Sequence, residues 1–158
     1  MATLKILPLK VDAGYSHQHG YQGDEAPNQT FPVGALISTD ANGKYQATAA
    51  GASAVSARNR IATAPGQNVA NPPRRTEFTR PHEHGWVEIT AGGTAATAAL
   101  IKVGATYGYA VEAGTGIGYL NLSDTTNAVF RIEDNRPRRG DINDVNVRVL
   151  VSVLPASV

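Results

Sequence analysis

The chain has 158 residues, a net charge of +1 and only 17% charged residues, against roughly 25% in an average soluble domain. It has no Cys, which excludes disulfides, thiolate zinc sites, iron–sulfur clusters and Cys nucleophiles. The near-neutral charge lacks the footprint of a nucleic-acid binder, and no run approaches the roughly 20 apolar residues of a membrane helix.

The opening MATLKILPLK has too short an apolar run for a signal peptide, and Pro8 interrupts it, so synthesis in a cytoplasm is expected. Leu4 and Ile6 alternate against Leu7, Leu9 and Val11, which predicts a first strand. Residues 12–32 are polar, rich in Gly, His and Gln, and without a period. A loop of that length is uncommon inside a compact domain, and Tyr15, Tyr21 and Phe31 are unusual for disorder. Residues 1–32 therefore read as a strand plus an extended arm, and residues 33–158 as a β-domain. In the arm, Leu4, Ile6, Leu7 and Leu9 could add a strand to a partner's sheet edge, with Tyr15, Tyr21 and Phe31 as anchors. The alternative places residues 4–11 in the domain's own sheet.

Asn42-Gly43 is a hairpin signal, because both residues tolerate positive φ; residues 34–38 and 44–48 are its strands. Residues 55–63 lean towards a strand. Residues 65–85 hold four prolines and no hydrophobic period, which predicts an irregular segment and excludes a helix or a central strand. Within it, Arg74, Arg75 and Arg80 could meet an acidic partner surface. Regular alternation then appears over 86–90, 105–111, 128–133 and 145–154, with an apolar run at 95–103 and a short strand at 118–122 bounded by Gly114, Gly116 and Gly118. The last segment is the clearest strand, with Val145, Val147, Val149, Val151 and Val153 on one face and Arg148, Leu150, Ser152 and Leu154 on the other. Short strands between Gly, Asn and Asp turns predict an all-β barrel or sandwich.

Among possible sites, His82-x-His84 followed by Glu88 has metal-ligand spacing, since residues i and i+2 of an extended segment share a side. It is similar to the first metal motif of cupin barrels. Thr76 and Ala95 stand where that motif has Gly, and no His follows His84. A fourth ligand would have to come from His17 or His19; otherwise these imidazoles serve hydrogen bonds and stacking in an interface. Gly114-Thr-Gly-Ile-Gly lacks both a following helix and a Gly-Lys-Ser/Thr, so it reads as a tight turn. Arg139-Gly-Asp141 is a chance tripeptide in a charged turn, where Asp141 and Asp144 could pair with Arg136, Arg138 and Arg139. No nucleophile elbow or His-Glu-x-x-His occurs, so neither catalysis nor a cofactor is expected. Ten of the 14 basic residues are Arg, which suits a subunit of an assembly or a GC-rich genome.

The segment Phe31-Pro-Val-Gly-Ala-Leu-Ile-Ser-Thr-Asp-Ala-Asn-Gly-Lys-Tyr-Gln-Ala-Thr-Ala resembles a recurring hairpin of tailed-phage head proteins. Gly118-Tyr-Leu-Asn-Leu-Ser-Asp-Thr-Thr-Asn-Ala-Val-Phe-Arg-Ile, the turn at Gly140-Asp-Ile-Asn and the Val-rich last strand resemble small phage decoration proteins. The likeness covers 31–63 and 100–154. The 65–85 segment and the His pairs have no counterpart there. The resemblance implies a capsid decoration, or cement, protein with a β-tulip-like fold. Such a protein sits on the outside of an expanded head at junctions between major capsid proteins, as a homotrimer, without cofactor or catalysis. The rivals are a cupin-like metal enzyme and a tail or fibre subunit.

Overall fold

The computed structural model describes residues 4–11, 21–51, 60–70, 75–79 and 86–154. These residues form eleven strands and no helix: β1 Lys10–Val11, β2 Tyr21–Asp24, β3 Leu36–Thr39, β4 Tyr45–Ala47, β5 Arg60–Ala62, β6 Arg75–Thr79, β7 Val87–Gly92, β8 Thr106–Val111, β9 Gly118–Asn121, β10 Phe130–Arg139 and β11 Arg148–Val153. The all-β expectation holds. One sheet runs β1-β7-β11-β10-β8-β9, and β9 also pairs in parallel with β7, so five of its strands close a ring. The second sheet runs β2-β6-β5-β3-β4. Its two ends are tied by a bridge between Glu25 and Tyr45 and by the Ala26 N–H donating to the Tyr45 carbonyl.

Alternation along the strands sends side chains into two apolar cores. In β3, Leu36 enters the larger core and Ile37 the smaller; in β5, Ile61 enters the larger and Ala62 the smaller. Each of these strands is thus apolar on both faces, because each face meets a different interior. The larger core fills the ring with Val87, Ile89, Leu120, Phe130, Ile132 and the β11 valines. The smaller core centres on Phe78, with Tyr21 stacked at 6.0 Å and Tyr45 tilted at 4.4 Å between ring centroids.

Tyr109 joins the two sheets. Its phenol oxygen accepts from the Leu36 N–H at 3.3 Å, and its ring lies on Gly118, where any Cβ would collide with it. Burial pushes the Tyr109 phenol up to about 12, with the Leu36 N–H acting in the opposite direction. In the unfolded chain the phenol ionises near 10, so this contribution is complete below pH 10 and is lost as pH rises towards 12. Wild type should therefore lose stability faster than Tyr109→Phe over that range, by up to about 1.4 kcal/mol per pH unit. Urea midpoints of the two proteins at pH 9, 10.5 and 11.5 check this; parallel curves would contradict it.

Several local expectations change. The Asn42-Gly43 hairpin forms, but only Gly43 has positive φ, at 75°. The loop closes through the Asp40 N–H to the Lys44 carbonyl, and Asp40 Oδ1 accepts from both the Asn42 and Lys44 N–H groups. It is thus a three-residue loop ending in a left-handed glycine rather than a two-residue turn. The expected strand at 55–63 is realised at β5, and residues 52–59 lie outside the described set.

Two stretches read as irregular contain strands. Tyr21–Asp24 and Arg75–Thr79 pair with each other, and β6 also pairs with β5, so it is an interior strand. Arg75 and Glu77 are exposed while Thr76 and Phe78 are buried, a period of two within a proline-free stretch. The apolar run at 95–103 folds into turns that place Ala96 and Ile101 in the larger core, with the Leu100 N–H bonded to Thr97. Val145 is 50% exposed, unlike the other four valines of its expected face. Asn146 adopts φ 66°, which breaks the strand alternation between Val145 and Val147.

Candidate interaction surface

The N-terminal segment runs in extended form over the outer face of β7 and β11. On that face the register aligns Arg148 with Thr90 and Leu150 with Glu88. Arg148 is only 5% exposed and reaches the segment through its two terminal nitrogens. Nε donates to Glu88 Oε1 at 2.6 Å. One terminal nitrogen donates to the Leu7 carbonyl at 3.3 Å and to Thr90 Oγ1 at 3.2 Å. The other donates to the Pro8 carbonyl at 2.7 Å and the Glu88 carbonyl at 3.2 Å. The guanidinium has five N–H donors, and all five are used. Nothing else in the side-chain repertoire supplies that planar fork, which explains an Arg inside a run of buried aliphatics.

Further bonds complete the clamp. The Leu7 N–H donates to Thr90 Oγ1, the Leu9 N–H to the Gly34 carbonyl, and Asn146 Nδ2 to the Leu4 carbonyl. β1 pairs with β7 at Lys10–Glu88 and Val11–Val87. Lys10 and Val11 thus pair within the domain's own sheet, so the alternative kept open above holds for these two residues, while residues 4–9 of the expected strand lie on the sheet's outer face without pairing into it. This docking ties residues 4–11 to the β-domain; residues 1–3 and 12–20 of the expected arm lie outside the described residues. The physical reason for the docking is the row of backbone carbonyls at Leu4, Leu7 and Pro8, each taken by a side chain of β11 or of the turn before it.

The residues nominated as interface anchors separate accordingly. Leu9 and Phe31 are buried within the chain, Leu9 in the larger core and Phe31 in the smaller. Tyr21 packs on Phe78. Leu4, Ile6 and Leu7 are half-buried, so each keeps part of its side chain on the surface. Leu4 lies over Gly140 and next to Val147. Arg75 is exposed, 3.9 Å from Asp24, a surface pair of little energetic weight. Tyr15 and Arg74 lie outside the described residues.

His17, His19, His82 and His84 also lie outside the described residues. Glu88, the carboxylate of the proposed metal triad, is the charge partner of Arg148. Among the described residues, no cluster of three metal-ligating side chains occurs. Gly114-Thr-Gly-Ile-Gly forms the turn between β8 and β9, with Gly114 and Gly116 at φ 90° and 72°. Its closure is the Gly116 N–H donating to the Glu112 carbonyl.

Residues 135–139, expected as a charged turn, are the second half of β10, where Arg139 pairs with Arg148; there Arg136 pairs with Asp134 at 3.0 Å, and its hydrogen bonds hold that carboxyl below the ordinary carboxylate range. Asp144 accepts the Asp141 N–H at 2.9 Å and so shapes the turn. Sequence reasoning missed Arg148 as the organiser of this face. The available signal was a lone Arg within an otherwise apolar strand. No family model, curated protein or solved structure matches the chain.

Proposed function

We propose that the protein is a structural virion component that binds the outer surface of a tailed-phage capsid. It would act as a homotrimer at junctions between major capsid proteins, stabilising the expanded head by binding rather than by catalysis. One observation carries the reading: the strip Leu4-Lys5-Ile6-Leu7, held extended on the β-domain by Arg148 and Asn146 with its apolar side chains half-exposed. An apolar strip with a preset backbone loses little conformational entropy on docking, which favours binding to a large fixed surface. The all-β architecture agrees with the resemblance of the hairpin and the C-terminal strands to decoration proteins.

The test is co-sedimentation of purified protein with expanded and unexpanded heads of the virus that carries the gene. Stoichiometric binding to expanded heads is expected. Ile6→Asp should weaken it at least about tenfold, or roughly 1.4 kcal/mol, with unchanged circular dichroism. Failure to bind expanded heads would overturn the reading, and full binding by Ile6→Asp would remove the strip from it. Deleting residues 2–28 would not be a clean test, because it removes β1 and β2 from the two sheets.

A further inference from the structure

We propose that Asn42 is a site of spontaneous covalent modification: its side-chain amide is lost as ammonia through a cyclic imide formed with the Gly43 nitrogen, at a rate that Asp40 restrains. This goes beyond the capsid reading and does not depend on it. Asn42 is the only Asn in the chain that is followed by Gly. Both residues are exposed at the tip of the β3–β4 hairpin. A Cβ built on Gly43 would meet nothing within 4 Å, so the reacting bond has open space around it. Glycine also leaves its own nitrogen unhindered and its backbone free to rotate.

The step needs only water as co-reactant. Hydroxide takes the Gly43 amide proton, and the nitrogen attacks Asn42 Cγ. An N–Cγ bond forms, the Cγ–Nδ2 bond breaks, and the amide leaves as ammonia with a proton from water. Water then opens the imide at Cγ, which gives aspartate, or at the Asn42 backbone carbonyl carbon, which gives isoaspartate. Neither route changes an oxidation state.

The closed loop opposes the attack. The Gly43 N–H donates to the Asp40 carbonyl at 3.0 Å, and Asp40 Oδ1 accepts from the Asn42 and Lys44 N–H groups at 2.8 Å each. The Gly43 nitrogen is released only when the loop opens, and two of the bonds that keep it closed belong to the Asp40 side chain. The Asp40 carboxylate also repels the negative charge that develops on the attacking nitrogen. Isoaspartate adds a methylene to the main chain of the loop. It should therefore break the closure from the Asp40 N–H to the Lys44 carbonyl and loosen Tyr45 against Phe78.

The test ages the full chain in mildly alkaline buffer and follows the tryptic peptide 11–44 by mass spectrometry. That peptide holds Asn28 as well as Asn42, so Asn28 is the internal control. Fragmentation should place the amide-to-acid mass gain at Asn42, at least about tenfold faster than at Asn28 and faster still as pH rises. Enzymatic methylation specific for isoaspartate should label the aged protein and not the fresh one. Gly43→Ala should slow the reaction at least about tenfold, because a Cβ then crowds the nitrogen. Asp40→Ala should speed it about fivefold, the net worth of one lost hydrogen bond, with circular dichroism unchanged. Asn42 reacting no faster than Asn28, or a rate that Gly43→Ala leaves unchanged, would overturn the proposal. A folded Asp40→Ala protein that reacts no faster than wild type would overturn the restraint assigned to Asp40.

Discussion

Arg148→Met should destabilise the protein by about 3–5 kcal/mol, because removing the buried guanidinium leaves the half-buried Glu88 carboxylate and several buried carbonyl acceptors unpaired. Here the stranded groups are the Glu88 carboxylate and the carbonyls of Leu7, Pro8 and Glu88. For a domain of this size the melting temperature should fall by roughly 6–20 °C. Arg148→Lys keeps the charge but offers three donors from one point, so it should recover only part of the loss. Adding Glu88→Leu to Arg148→Met removes the orphaned carboxylate and should restore some stability. The local signature is specific. The amides of Leu7 and Leu9, bonded to Thr90 and Gly34, should lose protection from hydrogen exchange before the core does. Unchanged melting, or unchanged protection at these two amides, would show that Arg148 does not hold the segment.

Val149→Asp should abolish folding. Val149 is fully buried and sits opposite Ile89 in the larger core. An unpaired carboxylate there costs several kcal/mol, against a total stability of about 5–15 kcal/mol for a typical domain. The milder Val149→Ala should still fold, with a loss on the order of 2 kcal/mol from lost burial and the remaining cavity. Val145→Asp is the control. It has the same parity in the sequence but is 50% exposed, so its effect should stay within about 0.5 kcal/mol. Urea denaturation of the three variants checks the order. A cooperatively folding Val149→Asp, or a Val145→Asp that fails to fold, would mean that the burial of this strand is assigned wrongly.

The contrast between these two valines marks where local pattern stops being informative. Period-two alternation located β7, β8, the first half of β10 and β11, because one-sided burial imposes that period on a strand, and bounding glycines located β9. The Asn-Gly pair located the β3–β4 turn, because a left-handed position there favours glycine. The same alternation was present in Arg75–Thr79, but the surrounding prolines masked it. Prolines bracket a strand as readily as they break one.

The composition and the strand pattern determined an all-β chain without thiol chemistry and with a hydrophobic last strand. Only the tertiary structure decided that residues 4–11 belong to the domain, that Glu88 pairs with Arg148, and that Tyr109 links the two sheets. The reason is distance along the chain. Arg148 meets Glu88 across 60 residues and Pro8 across 140, and Tyr109 meets Leu36 across 73. Local periodicity reports which face of a strand is apolar; it carries no information about which distant segment covers that face. In β3, β5 and β11 both faces are covered, and the covering groups, a second core or a buried guanidinium, are defined only once the sheets have paired.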